Sequence, residues 1–221
     1  NFYICFFHSE IFLLPLFFYT IVECYYINYK FSREVYSKMK KIILIAGPSG
    51  AGKTTISNYL EREYGIPRVI THTTRPKREG EVDKESYFFE TNESFNKLHF
   101  FEHIKYGNYQ YGSSKEALEA MWKKHDIVSL IVDIQGVKSY LSKLDPEQVY
   151  FLYVTTSTMD ELRERLINRG DSKEMVKKRL SGSELNRLPE DLKQTAHILL
   201  NDKWNKTESD LNTIVTKLKQ N

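Results

Sequence analysis

Cysteine is almost missing from this 221-residue chain: there are two, Cys5 and Cys24, and none beyond them. A body without cysteine has no disulfide framework and no thiolate metal site, so its chemistry must come from oxygen and nitrogen groups. An excess of charge of one sign is lacking as well. The formal net charge is +3 and no dense Lys/Arg block occurs, which argues against a nucleic-acid-binding surface. Long apolar runs are the third absence. The longest uncharged stretch of the aromatic N-terminal part, Ile11 to Val22, is shorter than the roughly 20 residues that span a bilayer. The remainder is ordinary for a globular protein, with 41% hydrophobic and 28% charged residues. The length suits one core with a small appended subdomain.

Composition breaks near Met39. Residues 1–38 hold 13 of the chain's 28 phenylalanines and tyrosines. They have no basic stretch ahead of the apolar run and no small-residue cleavage site after it. We read them as an extension to the folded domain, an untranslated or mispredicted gene segment, with Met39 as the natural start. A membrane or organelle address is the alternative. From Lys40 onward, short apolar runs alternate with amphipathic helices. IILIAG, IPRVITHTTR, IVSLIVDIQG and QVYFLYVTT read as strands. TTISNYLEREY, KEALEAMWKKHD, STMDELRERLINRG, SKEMVKKRL and ESDLNTIVTKLKQ read as helices. NESFNKLHFFEHIKYGNYQYGSS mixes a short helix with a Gly/Tyr hairpin. Strands alternating with helices predict a parallel sheet in an α/β fold.

Between the first strand and the first helix lies GPSGAGKT, Gly47 to Thr54, which fits G-x-x-x-x-G-K-[ST] in its required context. Glycines let the backbone curl until several N–H groups face one anion, and the following helix N-terminus adds positive potential. Gly47, Pro48, Ser49, Gly50, Ala51, Gly52, Lys53, Thr54 and Thr55 are therefore expected to hold a nucleoside triphosphate. Lys53 reaches its β- and γ-phosphates and the Thr54 hydroxyl ligates Mg²⁺. The plain alternative is a glycine-rich turn between core elements.

The next segment, ITHTTRPKREGEVDKESYFF (residues 70–89), together with FFEHIKYGNYQYGSS, LIVDIQGVKS and HILLND, resembles the guanylate kinase family. The resemblance covers about four-fifths of the chain, from Lys40 onward. It implies ATP-dependent phosphorylation of GMP, with dGMP as a further acceptor, to the diphosphate. It implies a P-loop core with a parallel sheet flanked by helices, a GMP-binding region at about residues 70–124 and a helical lid at about 168–188. It assigns Arg75, Arg78, Tyr87 and Tyr111 to the GMP phosphate. Glu102 and Asp133 face the N–H donors of guanine, Thr71 faces O6, and Ser113 lies beside them. Arg165, Arg169 and Arg179 close over the transferred phosphoryl group, and Asn201 touches adenine. Read alone, Arg75-Pro-Lys-Arg78 would be a solvated basic loop and Asn201 a turn residue.

The sequence departs from the family pattern in a few places. Ile131 stands where an acid is frequent, Thr71 where serine is frequent, and Lys84 and Ser86 where a glycine and an acid are usual. The lid is about one residue short. None of these removes a group the chemistry needs. HFFEH (residues 99–103) also reads as an inverted zinc-protease pattern, but its Glu102 is already used and no third ligand is evident. Rival functions are a phosphopeptide-binding module on the same fold and a kinase for another small acceptor. The expected partners are GMP and ATP with Mg²⁺, without nucleic acid or membrane for the folded domain. The expected state is a cytoplasmic monomer.

Overall fold

The computed structural model describes residues 39–181 and 187–220. The expectations for residues 1–38, and part of the expected lid, lie outside those residues. In chain order the strands are β1 (Lys41–Ala46), β2 (His72–Thr73), β3 (Phe88–Phe89), β4 (Phe100–Tyr106), β5 (Tyr109–Ser114), β6 (Ile127–Ile131), β7 (Val149–Thr155) and β8 (His197–Leu200). The helices are α1 (Lys53–Tyr64), α2 (Asn92–Phe95), α3 (Lys115–Trp122), α4 (Ile134–Leu141), α5 (Met159–Asn168), α6 (Lys173–Ser181) and α7 (Trp204–Gln220).

The main sheet is parallel, in the order β6-β1-β7-β8. Its central strand β1 reads KIILIA without polar alternation, as a strand covered on both faces must. Ile42, Leu44 and Ala46 pack on one side with Leu118 of α3 and with Val137 and Tyr140 of α4. Ile43 and Ile45 pack on the other with Ile56 and Leu60 of α1 and Leu211 and Val215 of α7. All five β1 residues from Ile42 to Ala46 are fully buried. Each large apolar side chain so buried contributes about 1.5–3 kcal/mol relative to exposure, which makes β1 a rigid base for the loop that follows it.

The second sheet is small and mixed, in the order β3-β2-β5-β4. Its β4–β5 hairpin pairs Tyr106 with Tyr109 and turns at Gly107, whose φ of 61° is open to glycine at no steric cost. Here the structure differs from one expectation. IPRVITHTTR does not form a long second strand. Only His72–Thr73 pairs as a strand, and it does so in the small sheet. Pro67 has no N–H to give a ladder, so the main-sheet edge shrinks to an Arg68–Ser129 bridge, with Val69 N–H donating to Ser129 O at 2.8 Å. Among the described residues no helix is long and apolar enough to cross a membrane.

Candidate active site

The loop from Gly47 to Gly52 joins β1 to α1, and three of its glycines have positive φ: 142° at Gly47, 87° at Gly50 and 94° at Gly52. Space adds to conformation. A Cβ on Gly47 would sit 1.9 Å from Val154 O, and one on Gly52 2.4 Å from Asn201 Nδ2. The Lys53 ammonium folds back over the loop and donates to Gly47 O and Pro48 O, both at 2.8 Å. Burial pulls its pKa down to about 8, and the positive charge of Arg169 adds to the shift. A desolvated cation held, among the described residues, by two carbonyls is a site that an anion would relieve.

Lys53 lines a cavity of about 360 Å³ with Thr71, Tyr87, Glu102, Tyr111, Ile131 and Asp133. A neighbouring cavity of about 430 Å³ shares Thr71, Tyr87 and Ile131 and includes Thr54. The phosphate loop and most of the expected purine readers therefore meet in one place. A larger cavity of about 850 Å³ lies against β8 and α7, far from these groups in the fold, so chemistry and not size selects the site.

Glu102 on β4 is pushed up to about 7, first by burial and then by the negative charge of Asp133. The Ser113 hydroxyl on β5 donates to Glu102 Oε1 at 3.5 Å and offsets part of that shift. Gly136 of α4 makes room for the carboxylate, since a Cβ there would lie 2.2 Å from Glu102 Oε2. Asp133 has a second task that the sequence reading missed. It caps α4, its Oδ1 accepting from Gly136 N–H at 2.7 Å. Asp-x-x-Gly at a strand-to-helix junction was the available signal.

The expected phosphate arginines are not aimed at the cavity. Arg75 is only 7% exposed. Its fork is bidentate on Glu81, at 3.0 and 2.7 Å, and also donates to Pro76 O at 2.7 Å. Tyr87 and Phe89 lie under its guanidinium, and Tyr111 is within hydrogen-bonding reach. Arg78 is exposed, and its backbone N–H donates to Glu81 at 2.8 Å. Glu81, which the sequence reading left without a role, thus occupies Arg75's fork and Arg78's backbone as an internal anion.

The lid arginines divide. Arg169 and Arg179 share the half-buried Asp171, at 2.7 and 3.3 Å, and Arg169 is near enough for its charge to act on Lys53. Arg165 instead binds Glu161 at 2.7 Å and the backbone oxygen of Asn201 at 2.6 Å, so it ties α5 to the turn after β8. Asn201 is itself engaged within the protein. Its Nδ2 donates to Ala51 O and its Oδ1 accepts from Thr207, each at 2.9 Å. The geometry gives this 6%-exposed amide the task of holding the P-loop.

The zinc reading fails on geometry. His99 precedes β4 and pairs with Glu116 at 2.6 Å, while Glu102 and His103 are consecutive strand residues and so face opposite sides. The two histidines of that pattern need a common helix face.

Comparison with known proteins follows the same outline. The guanylate kinase family model matches residues 38–218. The guanylate kinase of Caldanaerobacter subterraneus is 39% identical over 153 residues, covering 66% of this chain and 73% of that protein. That of Neisseria gonorrhoeae is 35% identical over 184 residues, covering 79% and 86%. The crystal structure of guanylate kinase from Anaplasma phagocytophilum has the same fold, with a TM-score of 0.57 at 22% identity over 82% of this chain and 87% of that one. With the matched region spanning the P-loop, both sheets and the C-terminal helix, the chain belongs to the guanylate kinase family of nucleoside monophosphate kinases.

Proposed function

We propose that this chain transfers the γ-phosphoryl group of ATP to the phosphate of GMP, giving ADP and GDP, with dGMP as a second acceptor. One observation carries the reading: Lys53 of the phosphate loop and the carboxylates Glu102 and Asp133 line a single cavity of about 360 Å³. A triphosphate on the loop and a purine on the carboxylates would then place donor and acceptor phosphates between them. Guanine offers N–H donors at N1 and N2 and an acceptor at O6, and two carboxylates with the Thr71 hydroxyl match that set.

The residues divide the work. Loop amides and Lys53 hold the β- and γ-phosphates. Arg169 and Arg179, joined through Asp171, bring positive charge to the side of Lys53, where a loose transition state spreads negative charge over the phosphoryl oxygens. Arg75 and Arg78, with Tyr87 and Tyr111, take the acceptor phosphate once it displaces Glu81. The attacking oxygen is already anionic, so no protein base is required. The donor set fits Mg²⁺: the exposed Thr54 hydroxyl, next to Lys53 in the first turn of α1, suits a cation that keeps most of its waters and takes phosphate oxygens. Bound there, the ion supplies charge neutralisation of the β- and γ-phosphates.

An ADP-release assay with ATP and Mg²⁺ across GMP, dGMP, AMP, dTMP and IMP tests the proposal. GMP as preferred acceptor supports it. Equal or better use of AMP or dTMP, or no turnover with any acceptor, would overturn it. The phosphopeptide-binding alternative has no use for the intact Lys53–Thr54 pair.

A further inference from the structure

Beneath Glu102 lies a group that the reading above does not use. Tyr140 of α4 is completely buried, and its ring stacks on Phe101 with centroids 4.3 Å apart. Among the described residues its hydroxyl makes no hydrogen bond of normal geometry, although the Ser113 hydroxyl is near enough to act on it. A buried hydroxyl left unpaired is destabilising, and a phenylalanine would fill the same space without it. The hydroxyl is nonetheless next to the guanine readers. Tyr140 is one helical turn after Gly136, the residue against which Glu102 packs. The Ser113 hydroxyl and the Glu102 carboxylate are the polar groups acting on it. Ser113 is fully buried and donates onward to Glu102 Oε1 at the long distance of 3.5 Å.

We propose that Tyr140 is a specificity-determining positioning residue of the guanine subsite: when the base engages Glu102, the phenol donates to Ser113 Oγ, and Ser113 donates to Glu102. The inference rests on the GMP reading. The relay holds the carboxylate oriented and ionised, leaving its outward oxygen lone pairs for guanine N1–H and N2–H. Both donors in the relay favour the charged form of Glu102. The other charged or titratable groups around that carboxylate are Asp133, which disfavours its ionisation, and Lys53, Tyr87 and Tyr111 across the cavity.

The test measures kcat and KM for GMP and IMP from pH 6 to 9 in the full chain. It uses wild type, Tyr140→Phe, Ser113→Ala, Glu102→Gln and the Tyr140→Phe/Glu102→Gln double variant, each with a thermal melt. Tyr140→Phe is expected to raise KM for GMP roughly three- to tenfold at little change in kcat, the size of one lost hydrogen bond to a charge-bearing network. It also moves the acidic limb of kcat/KM to higher pH by about half a unit and narrows the preference for GMP over IMP. Ser113→Ala breaks the relay at its middle and shifts the limb in the same direction. In the Glu102→Gln background the tyrosine substitution adds less than about twofold, because no carboxylate remains to be held. A Tyr140→Phe enzyme that superimposes on wild type in KM and pH profile, or a loss that persists undiminished beside Glu102→Gln, overturns the proposal. Absence of GMP turnover in wild type would overturn the functional reading itself, and this proposal with it.

Discussion

The two halves of the cavity are built by different means. On the donor side, the phosphate loop is a backbone object. Its glycines have positive φ, their missing side chains make room for Val154 O and Asn201 Nδ2, and β1 beneath it is fully buried. On the acceptor side, the small sheet has two two-residue strands, and its charged groups are held by internal partners: Arg75 by Glu81, Glu102 by Ser113. Under the proposed function, the backbone cradle is formed before phosphate arrives. A side-chain site must exchange its internal partners for the substrate. Donor binding should therefore depend on loop integrity, and acceptor binding on the placement of a few carboxylates and cations.

The largest expected effect breaks the donor half. Lys53→Ala removes a charge whose hydrogen bonds among the described residues go to the carbonyls of Gly47 and Pro48. We expect kcat to fall by about 10²–10³-fold, the usual scale for a lost transition-state donor, with an unchanged melting profile. Steady-state kinetics beside a thermal melt check this, and near-full activity in a folded variant would remove Lys53 from the chemistry.

Gly136→Ala is aimed at the acceptor half alone. Its Cβ would lie 2.2 Å from Glu102 Oε2 and 2.9 Å from Val132 Cβ, so both cavity-lining residues must shift, while alanine itself favours the helix. KM for GMP should rise about tenfold, equivalent to roughly 1.4 kcal/mol, while KM for ATP stays within about twofold. Equal effects on both substrates would erase the distinction between the halves.

Asn201→Ala loosens the donor half from behind. It removes the donor to Ala51 O and the acceptor of the Thr207 hydroxyl. The expected cost is about 1–3 kcal/mol of stability, with KM for ATP raised about threefold and KM for GMP little changed. Calorimetry and kinetics on the same preparation read both.

The smallest effect is a pH dependence that differs between substrates. Free Glu102 ionises near 7, so kcat/KM for GMP should climb as pH rises through 7. Free Lys53 loses its proton near 8, so kcat/KM for ATP should fall as pH rises through 8. Varying one substrate at saturation of the other separates the limbs. An acidic limb on ATP in place of GMP would reverse the assignment.

How much of this was legible in the sequence depends on the range of the partners. The loop, the parallel strands and helix α5 are local patterns of glycine and apolar period, and they were readable. Glu102, Asp133, Thr71, Tyr87 and Tyr111 were placed through a family resemblance, and the fold brings them to the same cavity as Lys53. The partners of Arg75, Arg165 and Asn201 were not readable. Glu81 is only six residues from Arg75, but the turn that folds it back is not written in its spacing; the Asn201 carbonyl and Ala51 are chosen by chain crossings, with Asn201 and Ala51 150 residues apart. Pro67 is visible in the sequence, but the apolar run around it reads as a longer strand than its missing N–H allows.

Base discrimination tests the central claim most directly: that Glu102 reads guanine within a P-loop kinase. The measurement is kcat/KM for GMP, IMP and AMP in wild type and Glu102→Gln. IMP lacks the 2-amino group, which leaves a buried carboxylate acceptor facing C–H. The wild-type preference for GMP over IMP should be about one to two orders of magnitude, with AMP lower still. Glu102→Gln should lower GMP efficiency and narrow the GMP-to-IMP gap. Wild-type use of AMP equal to GMP, or a gap untouched by Glu102→Gln, would contradict the account.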